Sequence, residues 1–131
     1  MAEKVTLQPC LNQDKLSVLA RQACYVVHED WRPEQTTLGC GPALNARVQE
    51  DLDFIHLFPV IAIESCPKDC ITKLIAKLGE KAALTLHMPE LLKELGIDEK
   101  DIPEEHIDCD SAAVQTVAKR LLKEVDRLLA L

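Results

Sequence analysis

Aromatic residues are scarce in this chain, at 3% of its 131 positions, and it contains only four glycines. Because 47% of the residues are hydrophobic, the core must consist largely of aliphatic side chains. The few glycines leave no phosphate-binding loop of the P-loop type, and in Gly39–Leu44 a leucine stands where a dinucleotide-binding turn needs its third glycine. A Gly-x-Ser-x-Gly elbow is also missing. Nucleotide-dependent chemistry therefore has little support, and the sequence offers no established catalytic motif.

Basic residues are outnumbered by acidic ones, 15 to 22, and long apolar runs are lacking. The formal net charge is −7, which argues against a nucleic-acid partner and against attraction to anionic membranes. No apolar stretch approaches the roughly 20 residues that a membrane-spanning helix requires. Residues 1–4 lead into a strand-like run and not into the apolar segment of a signal peptide. We therefore expect one cytoplasmic domain over residues 1–131, with no nucleic-acid or membrane partner and with its oligomeric state and any protein partner undetermined.

Strand-like and helix-like patterns alternate along the chain. The strand patterns cover residues 4–8, 35–39, 59–64 and 82–87, with residues 104–109 as a candidate edge strand. The helix patterns cover residues 12–29, 42–52, 67–78 and 89–97, followed by a final helix from Asp110 or Ser111 to about Leu129. Alternation of this kind implies parallel strands joined by right-handed crossovers. We predict an α/β fold: a three-layer α/β/α domain with a parallel sheet of four or five strands in the order 2-1-3-4(-5).

Cysteine is the abundant residue, with six in the chain. A reducing compartment disfavours a disulfide framework, so the thiols are candidates for core packing, metal binding or redox and sulfur chemistry. Cys10, Cys40 and Cys66 each follow a predicted strand. The carboxyl ends of parallel strands share one edge of the sheet, where open α/β sheets bind their ligands. Cys70 adds a fourth thiol, at a C-x₃-C spacing that falls within the range of zinc-ligand pairs.

These four cysteines suggest one zinc site. Each predicted helix start after Cys10, Cys40 and Cys66 brings unpaired N–H groups and partial positive charge, which favour thiolates. A closed four-cysteine zinc site lacks the open coordination position that catalytic zinc needs. Four thiolates also suit an iron–sulfur cluster, and that alternative stays open.

The stretch Ile61–Cys70, "IAIESCPKDC", resembles the signature of the DGC-domain proteins, in which an apolar strand is followed by D-G-C-P-x-x-C. Here Glu64-Ser65 replace Asp-Gly. Pro9-Cys10 is similar to the family's first cysteine segment, Leu19–Ala23 to the helix after it, and Gly39–Leu44 to its second cysteine segment. The resemblance covers roughly residues 5–97. It implies zinc as the cofactor, held by the four cysteines named above, and it implies no known reaction.

Three further residues are candidates near this site. His87 ends the fourth predicted strand, where it is either a partly exposed strand-end histidine or a residue of the site, as a hydrogen-bond partner of a ligand or a replacement ligand. Glu64 is either a proton acceptor or, more simply, a cap for the next helix. Cys109 is either a mobile thiol near the metal or a surface or core residue. Cys24, in the middle of a predicted helix, reads as a core thiol.

The sequence thus favours a small zinc-binding protein with a structural, metal-handling or accessory role. One alternative is a thiol or sulfur-transfer protein in which Cys70 or Cys10 acts as a nucleophile or persulfide carrier. The other alternative is an iron–sulfur protein. The sequence does not determine whether the protein is an enzyme.

Overall fold

The computed structural model describes residues 2–130, which form a four-stranded, all-parallel sheet with helices packed around it. The strand order is β2-β1-β3-β4, as the sequence predicts. The strands are β1 (Val5–Pro9), β2 (Thr36–Leu38), β3 (Val60–Glu64) and β4 (Leu84–His87). No residue of β1 or β3 is more than a few per cent exposed, as expected of central strands covered on both faces.

Helices pack on both faces of the sheet. They are α1 (Lys15–Tyr25), α2 (Gly41–Asn45), α3 (Gln49–Leu57), α4 (Cys70–Lys77), α5 (Met88–Glu94) and α6 (Ala112–Ala130). A π-helical segment, Val26–Trp31, continues α1, and a short 3₁₀ turn spans Glu99–Asp101. One core layer joins the sheet to α1, α5 and α6, and a second, smaller layer joins it to α2, α3 and α4.

The period-two alternation of β1 assigns its side chains to these two layers. Val5 and Leu7 lie in the larger core beneath α1 and α6. Thr6 points to the other face, where its hydroxyl donates to the carbonyl of Phe54 in α3 at 2.8 Å. Gln8 lies on the same face as Thr6, is fully buried, and has no protein hydrogen-bond partner for its amide among residues 2–130.

The predicted helix over residues 42–52 is wrong in its extent, because the chain forms two helices there. Arg47 adopts a left-handed conformation with φ 59°, which ends α2 and redirects the chain into α3. The predicted helix over residues 67–78 begins later, at Cys70, because Asp69 is also left-handed at φ 51°. Pro67 is therefore not in the first turn of a helix, and Cys70 does not lie one helical turn beyond Cys66.

The candidate edge strand at residues 104–109 is absent from the described residues, and this prediction was wrong. Ile102 and Ile107 anchor the segment in the larger core, and Gln22 donates its side-chain amide to the carbonyl of Ile107 at 2.8 Å. The Gln22 side chain thus binds a backbone carbonyl that would otherwise be free to pair with a neighbouring strand. The helix end at Gly79 is confirmed, with φ 86° after Lys77, and the Ser111 hydroxyl accepts from the N–H of Val114 at the start of α6.

None of the helices between residues 2 and 130 combines the length and the apolar composition needed to cross a bilayer.

We predict that Gly39→Ala destabilises the fold, because a Cβ at this position would lie 1.8 Å from Oε1 of the buried Gln8 side chain. Overpacking of this kind costs about 1–3 kcal/mol, measurable as a lower midpoint of urea unfolding. Gly41→Ala is the control, since its Cβ would meet only Ile71 at 3.3 Å. Equal midpoints for the two variants would contradict the assigned packing of Gln8 against Gly39.

Candidate functional site

Cysteines follow three neighbouring strands at the carboxyl edge of the sheet. Cys10 comes directly after β1, Cys40 two residues after β2, and Cys66 two residues after β3. Because the sheet is entirely parallel, all three lie at the same edge, as the sequence predicts. Cys70 is the first residue of α4 and returns toward this edge from the loop after β3.

Three of these thiols line one cavity of about 380 Å³, which we call the three-cysteine cavity. They are Cys10, Cys66 and Cys70, whose side chains are buried, half-buried and exposed, respectively. The cavity lies where β1 and β3 end side by side. The chain leaves β1 toward α1 on one face and leaves β3 toward α4 on the other. The strand order reverses at this point, which is where α/β sheets form their ligand crevices.

Cys40 lines a second cavity, of about 210 Å³, on the α1 side of the sheet. Leu11 lines both cavities. Gly41, the residue after Cys40, lines the three-cysteine cavity, so Cys40 stands one residue from its wall. The backbone N–H of Cys40 donates to the buried carboxylate of Asp51 at 3.0 Å, which holds the start of α2 in place.

The donor chemistry of the three-cysteine cavity fits a soft metal ion such as zinc, since thiolates are its preferred ligands. The cysteine side chains do not form a closed coordination shell. Among residues 2–130, no three His, Cys, Asp or Glu side chains stand close enough together to hold a metal ion. A zinc ion held by Cys10, Cys40, Cys66 and Cys70 would require these side chains to move toward one another, so this ligand set stays a prediction.

The Glu64 side chain binds the first turn of α4. It is 1% exposed, and its carboxylate accepts hydrogen bonds from the backbone N–H and the hydroxyl of Thr72 at 2.8 and 2.7 Å. A longer bond of 3.4 Å comes from the N–H of Ile71. The carboxylate thus caps the helix that carries Cys70, and negative charge is favourable at this helix end. The capping interpretation of Glu64 is confirmed.

Ser65 ties the same loop to the opposite face of the sheet. Its hydroxyl is hydrogen-bonded to that of Ser17 in α1, and Ser17 donates to the carboxylate of Asp14 at 2.5 Å. Ser17 and Ser65 are both buried. Ser65 is therefore anchored to α1, while Glu64 is anchored to α4.

His87 ends β4 at the same edge and contacts the loop of the cysteine pair. Its Nε2 lies 3.0 Å from Oδ1 of Asp69, the left-handed residue that precedes Cys70. His87 does not line the three-cysteine cavity. It is thus placed to support the conformation at Asp69, one residue away from a candidate ligand.

Of the remaining two cysteines, Cys24 lines the same cavity as Cys40, and Cys109 lines neither cavity. Cys24 is almost fully buried in the larger core, and burial raises the pKa of its thiol well above the usual range. Cys109 is half-buried, with its sulfur 3.6 Å from Oε1 of Gln22. Burial, followed by the nearby carboxylates of Asp110 and Asp30, raises the pKa of the Cys109 thiol. Neither cysteine lines the three-cysteine cavity, which agrees with core placement for Cys24 and separates Cys109 from the other candidates.

Sequence reasoning missed three polar residues of the three-cysteine cavity, namely Asn12, Asn45 and Lys68. Asn12 lies in the loop after β1 and Lys68 in the loop after β3, so their positions after strands were a usable signal. Asn45 ends α2, and the extent of that helix was not readable without the turn at Arg47.

The family model of the DGC domain matches residues 6–121 of the chain. The match covers the sheet from Thr6 onward, the four edge cysteines and the first half of α6, and it extends toward the C-terminus beyond the segment whose motifs show the resemblance. Searches of curated proteins and of solved structures gave no significant match.

The different burial of the thiols predicts an order of alkylation. In metal-free protein at pH 8, iodoacetamide should modify Cys70 first and Cys24 last, because Cys70 is exposed while Cys24 is buried and stays protonated. Mass spectrometry of tryptic peptides over time measures the order. Rapid modification of Cys24 would contradict its placement in the core.

The hydrogen bonds of Glu64 predict a large effect of its removal. Glu64→Ala leaves the N–H groups of Thr72 and Ile71 without their buried acceptor and should lower the free energy of unfolding by about 1–3 kcal/mol. Denaturant titration measures this change. Glu105→Ala is the matched control, since the Glu105 side chain is 85% exposed. A cost no larger than that of the control would show that the cap contributes little.

Proposed function

This chain belongs to the DGC domain family, and from the thiols gathered at its sheet edge we propose that it binds one zinc ion in a metal-handling role. The observation that carries the proposal is the three-cysteine cavity, which Cys10, Cys66 and Cys70 line at the strand-order reversal. In this proposal Cys40 supplies the fourth thiolate from the adjacent loop. Zinc bound to four thiolates would be a poor Lewis acid, so the proposal does not include hydrolysis.

The exposure of Cys70 favours metal handling over a purely structural role. A structural zinc site is closed and buried, whereas Cys70 is exposed and Cys66 only half-buried. The fold has a substantial core on both faces of its sheet, so zinc is not needed to supply the main stabilisation. A thiol that stays accessible to a partner molecule can receive or surrender the ion by ligand exchange.

The proposal predicts about one zinc per chain and no colour in protein purified without oxygen. Cys66→Ser and Cys70→Ser should each weaken zinc binding at least about tenfold, because each removes a thiolate ligand. Competition with a chromophoric chelator gives the affinity, and elemental analysis gives the metal content.

Cys24→Ala and Cys109→Ala are the matched controls for this experiment and should keep the metal, since neither residue lines the three-cysteine cavity. Cys40→Ser tests the fourth ligand on its own: unchanged affinity would leave a three-cysteine site. If the purified protein is brown and contains iron, an iron–sulfur cluster and not zinc occupies the site. Metal-free protein whose melting temperature is insensitive to zinc and to chelator would overturn the proposal.

A second candidate function is sulfur transfer by Cys70. What favours it is that Cys70 is exposed at the first residue of α4 beside an open cavity. Its thiolate would attack the outer sulfur of a persulfide donor, forming a new S–S bond while the donor leaves as a thiolate. The discriminating measurement is labelling of Cys70 with and without chelator. Equal labelling, together with a persulfide detected at Cys70 after incubation with a persulfide donor, would favour this function over zinc binding.

A further inference from the structure

The second cavity, which we call the Arg21 cavity, lies beside the candidate metal site but on the other face of the sheet. It has a volume of about 210 Å³ and opens where β1 and β2 end against α1. Arg21 and Tyr25 of α1 line it together with Cys40. This volume would hold roughly seven water molecules, so its occupant must be small.

Arg21 makes no ion pair and no side-chain hydrogen bond within residues 2–130, although it is half-buried. Other arginines are paired: Arg32 binds Asp126, and Arg120 binds Glu94. In a chain with a net charge of −7, carboxylates are abundant, yet none lines the Arg21 cavity. Arg21 is thus a half-buried arginine without a counterion from this part of the chain.

The other residues that line the cavity suit a molecule that has a hydrogen-bond acceptor at one end and is otherwise apolar. Tyr25 is 40% exposed, and its hydroxyl makes no hydrogen bond within residues 2–130. The remaining walls are mainly apolar and include Pro9, Leu11 and Leu38. A cavity that combines one cation and a phenol with aliphatic walls is matched to a molecule with an anionic end and a short hydrocarbon chain.

We propose that the Arg21 cavity binds a small aliphatic carboxylate. The carboxylate accepts two parallel hydrogen bonds from the guanidinium of Arg21, the geometry in which arginine binds carboxylates most strongly. The hydrocarbon chain lies against Leu11 and Leu38. An inorganic anion such as sulfate fits less well, because the apolar walls would remove its hydration without replacing those hydrogen bonds.

The first test measures the binding of butyrate through the chemical shifts of the backbone amide groups that line the cavity. Arg21→Gln should weaken butyrate binding by about tenfold or more, since it removes a charge-assisted pair. Arg47→Gln is the matched control, because Arg47 is exposed and also forms no ion pair within the described residues. Butyramide, which has the same shape without the charge, should bind much more weakly than butyrate. Equal binding of butyrate and butyramide, tighter binding of sulfate, or no effect of Arg21→Gln would overturn the proposal.

The second test uses Cys40 as a reporter inside the cavity. Iodoacetate carries a carboxylate and iodoacetamide does not, while both alkylate thiolates with loss of iodide. In the presence of chelator, Arg21→Gln should lower the ratio of the iodoacetate rate to the iodoacetamide rate at Cys40 and leave that ratio unchanged at Cys70. An unchanged ratio at Cys40 in the Arg21→Gln variant would overturn the proposal.

Different readouts separate this proposal from the zinc proposal. Arg21→Gln is expected to leave the zinc content unchanged, because Arg21 does not line the three-cysteine cavity. Loss of carboxylate binding with normal zinc content would thus test the Arg21 cavity alone.

Discussion

Four register pairs, from Thr6 with Val60 to Pro9 with Ile63, join β1 to β3 in the middle of the sheet. The backbone N–H of Cys10 extends this ladder by donating to the carbonyl of Ile63 at 2.9 Å. Because the chain then leaves β1 toward one face and β3 toward the other, the two loops diverge and a crevice opens between them. The thiols of the candidate site line this crevice, so its geometry depends on the pairing of the two central strands.

Two adjacent residues hold one side of that crevice. Glu64 and Ser65 point to opposite faces because side chains alternate along a strand. The carboxylate caps α4, and the hydroxyl is bonded to Ser17 of α1. The loop that begins at Cys66 is consequently anchored in both core layers. The exposed Cys70 thus lies next to backbone that is well held.

The strand order and the placement of the cysteines could be predicted from the sequence, because they rest on apolar runs, alternation and strand ends. The break at Arg47 and the late start of α4 could not, since they depend on left-handed conformations of Arg47 and Asp69, which are not glycines. The strand expected at residues 104–109 failed for another reason: tertiary packing of Ile107 and the amide of Gln22 replaced strand pairing. For the candidate site, the sequence predicted which thiols share an edge but not their division between two cavities.

That division follows from the two faces of the sheet. Leu11, just beyond β1, lines both the cavity on the α4 side and the cavity on the α1 side. Cys40 lines the Arg21 cavity, while its neighbour Gly41 lines the three-cysteine cavity. A movement at the start of α2 would therefore change both cavities. The bond from the Cys40 N–H to Asp51 restrains that movement. If Cys40 moves to complete a four-cysteine zinc site, it must leave the wall that it shares with Arg21. Occupancy of the two cavities would then be coupled through this one residue, and by linkage each ligand would change the affinity of the other by the same factor.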